Sequence, residues 1–202
     1  MAPITPTTPT YTTILAPQVV TTGNIGTLAT PLDLKNKRGA YLYGFIGRRA
    51  ATALTRPGYI AIRPTNNAGT VVPATIHDMV SSIAAAISNT VASGGASGAT
   101  TVTLTSGTSF AAQDWICLHS DDTSANRVEF ARVVLVSTNT LTVDMAFKTS
   151  HNAADRVTTM ADTFRTWIPG GDIYDFRAVN NSGQDLVFAL YAEIDNGDTY
   201  TP

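Results

Sequence analysis

Four residues within six positions, His119, Asp121, Asp122 and Ser124, carry the groups of a base, an orienting acid and a nucleophile. Hydrolytic sites assemble such groups by geometry, from separate elements of the fold. Crowding in one short segment does not produce that arrangement, and the sequence has no Gly-x-Ser-x-Gly elbow. A strand-end histidine beside a polar loop, Ser120 to Asn126, accounts for His119.

The metal and phosphate chemistries fail in the same way. His77, His119 and His151 have no His-x-x-x-His spacing, and Cys117 is the one cysteine, so a cysteine-based zinc site or a disulfide framework is excluded. Asp195-Asn196-Gly197-Asp198 groups oxygen ligands near a glycine but lacks the spacing and closing Glu of an EF-hand loop, and reads as a turn. Gly94-Gly95-Ala96-Ser97-Gly98 has no P-loop lysine, and the helix expected before it would present its wrong end to a phosphate. A flexible linker is the expectation there. Arg48-Arg49 and Arg63 read as solvated charge at strand ends. Trp115 reads as core and Trp167 as partly exposed; Cys117 reads as a small buried hydrophobe. No catalytic set, metal site or cofactor site emerges, and the expectation is a protein that is not an enzyme.

Composition narrows the class further. The 202 residues carry 13 Lys+Arg against 15 Asp+Glu, a formal net charge of −2, and 14% charged residues. About one residue in six is threonine. That balance gives no electrostatic drive toward nucleic acid or an anionic membrane surface. No run of apolar residues is long enough to cross a bilayer, and the amino terminus lacks the basic and apolar regions of a secretory signal.

Residues 1–35 read as an extended arm. Pro3, Pro6, Pro9, Pro17 and Pro31 oppose helix, and the interleaved threonines favour extended backbone. Ile4, Tyr11, Ile14, Leu15, Val19, Val20, Ile25 and Leu28 give the arm apolar and aromatic side chains that a disordered tail would lack. They are the candidate partner-binding residues, and the arm is expected to order on another surface, either its own domain or a neighbouring subunit.

Beyond the arm the patterning is β. Tyr41 to Ile46 and Tyr59 to Arg63 read as strands of one sheet domain, residues 36–92 and 161–202. Ile76, Met79, Val80, Ile83 and Ile87 follow helical spacing after Thr75, which predicts one helix over 75–89. Residues 99–160 alternate through several short strands and read as an inserted, barrel-like β-module. Asp172–Val179 and Asp185–Ile194, joined by Asn180-Asn181-Ser182-Gly183-Gln184, read as a closing hairpin; shared aromatic patterning suggests pairing with 41–46. The fold class expected is mainly β: an antiparallel β-sandwich with one helix and an inserted small barrel, preceded by the arm.

Within 99–160 one pattern is familiar. Thr101-Val102-Thr103-Leu104-Thr105, Phe110, Asp114-Trp115-Ile116, Val128-Glu129-Phe130-Ala131-Arg132-Val133, Thr140-Leu141-Thr142-Val143-Asp144, Ser150-His151 and Arg156-Val157 together resemble a small β-module of tailed-bacteriophage virion proteins. Gln113 departs from it, standing where such modules often have glycine. With the arm and the closing strands, the layout is similar in style to capsid decoration (cement) proteins. The resemblance implies a structural protein on the capsid exterior, bound to the major capsid protein and to copies of itself, as a homotrimer. It transfers no catalytic residue. Two other readings stay open: a tail, neck or head-fibre component, and a carbohydrate-binding module using Trp167, Tyr174 and Tyr191.

Overall fold

The computed structural model describes residues 4–5, 7–26, 30–65, 77–106, 109–120, 127–159, 162–197 and 199–200. The first part of the chain forms β1 (Ile4–Thr5), β2 (Thr10–Val20), β3 (Asn24–Ile25), β4 (Leu32–Asp33), β5 (Gly39–Arg48), β6 (Tyr59–Thr65) and β7 (His77–Val80). The middle forms β8 (Ser88–Gly94), β9 (Thr101–Leu104), β10 (Trp115–His119), β11 (Val128–Ser137), β12 (Thr140–Val143) and β13 (Arg156–Thr159). The last part forms β14 (Asp162–Pro169), β15 (Ile173–Asn180), β16 (Leu186–Asp195) and β17 (Thr199–Tyr200).

Two antiparallel sheets face each other. One runs β14-β5-β16-β2; the other runs β3-β15-β6-β7, with β4 also paired to β15. Period-two alternation sends Leu42 and Ile46 of β5 and Phe188 and Leu190 of β16 inward, where they meet Ile60 and Ile62 of β6, Met79 of β7 and Phe176 of β15 in one core. Between β7 and β14 the chain makes a closed six-stranded barrel, β10-β11-β12-β9-β8-β13, around Val102, Leu104, Ile116, Leu118, Val133 and Val157. A third, smaller cluster of Cys117, Val128 and Val187, packed by Val19 and Phe130, joins the barrel to the β14-β5-β16-β2 sheet.

The helix expected over 75–89 is not formed by its described residues. Thr75 and Ile76 lie outside them; residues 77–80 are strand β7, and β8 begins at Ser88. Met79 pairs opposite Ile60 and is buried, Val80 on the next position is exposed, and Ile83 is exposed as well. A helical face would have needed Val80 and Ile83 inside. Pairing with β6 outweighs the small intrinsic preference of Ala84, Ala85 and Ala86.

The closing hairpin is also corrected. β15 pairs with β6 and β16 pairs with β5, so the two strands lie in opposite sheets. The turn between them is an arch held by buried Asn180. Its Nδ2 donates to the carbonyls of Val20 (2.6 Å) and Gln184 (2.8 Å), and its Oδ1 accepts from the Ser182 hydroxyl (2.7 Å) and amide (3.0 Å). The suggested pairing with 41–46 is present for β16 alone.

The glycine run read as a linker is a tight turn of the barrel. Gly94 and Gly95 have φ of 79° and 71°, and Gly95 donates to the Thr101 carbonyl at 3.0 Å.

Candidate functional site

The outward face of the β14-β5-β16-β2 sheet carries rings where a solvated sheet face usually carries small polar side chains. Tyr41, Tyr43 and Phe45 alternate outward along β5. Register places Trp167, Tyr41, Glu193 and Tyr11 in one cross-strand row, and Arg165, Tyr43, Tyr191 and Thr13 in the next. Trp167 and Tyr41 meet edge to face at 4.8 Å between centroids. The Arg165 guanidinium lies 4.2 Å from the Tyr41 centroid and 5.6 Å from that of Tyr43. Tyr43 donates its hydroxyl to Glu193 Oε2 at 2.6 Å, and that bond holds its phenol above the ordinary pKa. Trp167 (41% exposed) and Tyr41 (38%) remain on the surface.

Farther along the same face the barrel rises and a cleft forms, with a volume near 890 Å³. Phe45 stands at its floor, 5.1 Å from the stacked Phe130 ring and 6.1 Å from both Trp115 and Tyr191. Tyr11 and Met145 mark its rim, 73% and 68% exposed. One wall is the segment 145–149. Glu129 fixes it, accepting from the Lys148 amide (3.1 Å), the Thr149 hydroxyl (2.7 Å) and the Thr149 amide. Behind Glu129 lies buried His151, its Nε2 4.0 Å from Glu129 Oε1 and its Nδ1 3.5 Å from Asp155 Oδ2. Burial lowers the His151 pKa below its ordinary value.

The candidate partner-binding residues of the arm are dispersed. Ile14, Leu15 and Val20 of β2 are buried in the chain's own core. Val19 packs on the barrel junction. Ile4 sits in β1, paired opposite Tyr200. Tyr11 and Ile25 are exposed, and Leu28 lies outside the described residues. Pro17 is tolerated because β2 is an edge strand and its register with β16 shifts between Phe188 and Leu190.

The other singled-out residues fall as follows. Tyr174 is buried and donates its hydroxyl to the Pro169 carbonyl at 2.9 Å, so it offers no stacking face. Trp167 and Tyr191 do share the aromatic face. Trp115 is half-buried at the cleft rather than in a core. Cys117 is buried, and burial pushes its thiol pKa up. His119 is buried; Asp121, Asp122 and Ser124 lie outside the described residues. Asp195 Oδ1 accepts from the Gly197 amide at 2.9 Å within its turn. Among the described residues no group of three or more His, Cys, Asp or Glu is placed to hold a metal ion. Arg48 and Arg49 are not solvated strand ends: Arg48 is buried and donates to the Ser82 carbonyl, and Arg49 reaches the Ser120 carbonyl (3.2 Å) and Asp185 (3.8 Å). The end of β5 runs under the barrel junction, which buries Arg48 and leaves Arg49 half-buried.

Comparison with known proteins gives little. No family model matches the chain, and no curated protein does. Among solved structures, VP17, a capsid protein of bacteriophage P23-77, aligns over 96% of this chain and 99% of that one at 9% identity. The TM-score is 0.17, and that likeness carries no argument about this chain.

Proposed function

We propose that this chain is a structural protein of a bacteriophage virion that decorates the capsid exterior by binding the major capsid protein. The observation that carries the reading is the exposed Trp167–Tyr41–Arg165 cluster on the outward sheet face. Trp, Tyr and Arg dominate the energetics of protein interfaces, and such a cluster left in water is characteristic of a docking surface. The resemblance of residues 99–160 to a virion β-module supports the virion context.

The contact surface then differs from the arm alone. Ile14, Leu15 and Val20 stabilise the chain's own sheet. Removing residues 1–35 would take away strand β2 and would report on folding rather than binding. Tyr11, Ile25 and the aromatic cluster are the groups left for a partner.

The test is co-sedimentation of the purified protein with empty shells, wild type against Trp167→Ala and Arg165→Glu. Saturable binding at hundreds of copies per shell, weakened by either substitution, supports decoration. Binding at a few copies assigns the chain to a tail, neck or head-fibre position. Copies of the chain are proposed to associate as a homotrimer, which light scattering on the free protein measures.

A further inference from the structure

We propose that the cleft between the barrel and the sheet is a saccharide-binding site for a neutral oligosaccharide. Three features of the cleft point to that class. Its volume, near 890 Å³, lies in the range of small-molecule sites. Its floor is a patch of half-buried rings in contact with one another, Phe45 and Tyr191 from the sheet and Trp115 and Phe130 from the barrel. A pyranose ring offers just such surfaces an apolar C–H face.

The polar groups select among ligands. Phenols of Tyr11 and Tyr191 can donate and accept there, while Tyr43, whose hydroxyl hydrogen goes to Glu193, can only accept. Asp144 Oδ1 accepts one amide, that of Arg132 at 3.1 Å, and a carboxylate has acceptor capacity well beyond a single bond. A sugar supplies hydroxyls to both kinds of group. A hydrocarbon chain would desolvate them and return no hydrogen bond. Charge excludes the acidic alternative: the lining holds Glu129 and Asp144 against Lys148, with no arginine, so a phosphate, sulfate or uronate meets net negative charge and no bidentate donor. Trp167 and Arg165 of the capsid-docking cluster are not part of the cleft lining, and Tyr11 is the residue the two surfaces share.

Trp115 provides the readout. The chain has two tryptophans, so Trp167→Phe leaves Trp115 as the single reporter. That variant is titrated with oligomers of β-1,4-glucose, β-1,4-N-acetylglucosamine and α-1,4-glucose, and the labelled protein is applied to a glycan array. The expected result is a saturable change in Trp115 emission with at least one neutral saccharide. Affinity should fall at least tenfold in Tyr11→Ala, an exposed rim position, and measurably in Tyr191→Phe, which removes one hydroxyl, with thermal unfolding unchanged in the first. The proposal is overturned if no saccharide on the array or in the titrations binds. It is equally overturned if binding persists undiminished in Tyr11→Ala and Tyr191→Phe, or if palmitate or an oligouronate saturates the cleft in preference to every neutral sugar.

Discussion

Gly47 of β5 lies directly against Cys117 of the barrel strand β10: a Cβ on Gly47 would stand 2.8 Å from the Cys117 Sγ and 2.9 Å from its Cβ, with Phe130 Cε1 also at 2.9 Å. The barrel therefore docks on the sheet through a backbone-to-side-chain contact that only glycine permits. The same contact sets where Phe130 sits, and hence the floor of the aromatic cleft.

Gly47→Ala should destabilise the protein by about 1–3 kcal/mol, the usual cost of overpacking a close contact. Urea unfolding measures it. The Cys117 thiol gives a second reading of the same junction. Buried and held in its thiol form, it should react slowly with a thiol reagent in the native protein and faster in Gly47→Ala. Equal stability and equal labelling would show that the barrel does not rest on this contact.

Gln113 adopts φ of 79°, a left-handed conformation that side chains other than glycine rarely take, while its amide donates to the Val133 carbonyl at 2.8 Å. The turn thus holds a glutamine in a conformation that favours glycine. Gln113→Gly should relieve the strain and raise stability by about 0.5–1 kcal/mol, with the greater freedom of glycine in the unfolded chain limiting the gain. A shift of the urea midpoint upward at constant slope is the expected observation.

Stability should fall in mild acid because of His151. Burial lowers its folded pKa; Glu129 and Asp155 raise it against that effect, and Arg127 adds to the lowering. The folded pKa lies below the unfolded value of about 6.5. Between the two, the unfolded chain binds the extra proton, so stability is complete above the unfolded value and is lost as pH falls toward the folded one. Thermal unfolding from pH 7.5 downward should show a loss beginning near the unfolded value, and His151→Gln should flatten that part of the profile.

The legible parts of the fold were those whose signal is local. Strands β9, β10, β11 and β12 alternate because one side of each faces the barrel interior, and Val102, Leu104, Leu141 and Val143 mark it directly. Met79, Val80 and Ile83 have helical spacing by coincidence; only the partner strand β6 decides between helix and sheet. Asn180 to Gln184 has the residues of a hairpin turn, and the same residues serve an arch between sheets, because the choice depends on which strands flank the turn in space. Along β5, Tyr41 to Ile46 read as a strand, and the outward aromatic face of Tyr41, Tyr43 and Phe45 emerged only with the sheet that buries the other side. The cleft was hidden, since Phe45 on β5, Trp115 and Phe130 on the consecutive barrel strands β10 and β11, and Tyr191 on β16 come from three separated stretches of the sequence.

The docking cluster gives the most direct test of the central claim. Trp167 and Arg165 lie on β14, an edge strand, so Arg165→Glu should leave unfolding nearly unchanged and Trp167→Ala should cost about 0.5–1.5 kcal/mol, the worth of its pair with Tyr41, in a protein that still folds. Binding of wild type, Trp167→Ala and Arg165→Glu to empty shells is measured by sedimentation across a concentration series. A loss of about 2 kcal/mol at an interface anchor corresponds to roughly 30-fold weaker binding, and that is the predicted effect of Trp167→Ala. Shell binding by both variants at wild-type affinity, or no binding by the wild type, would contradict the account.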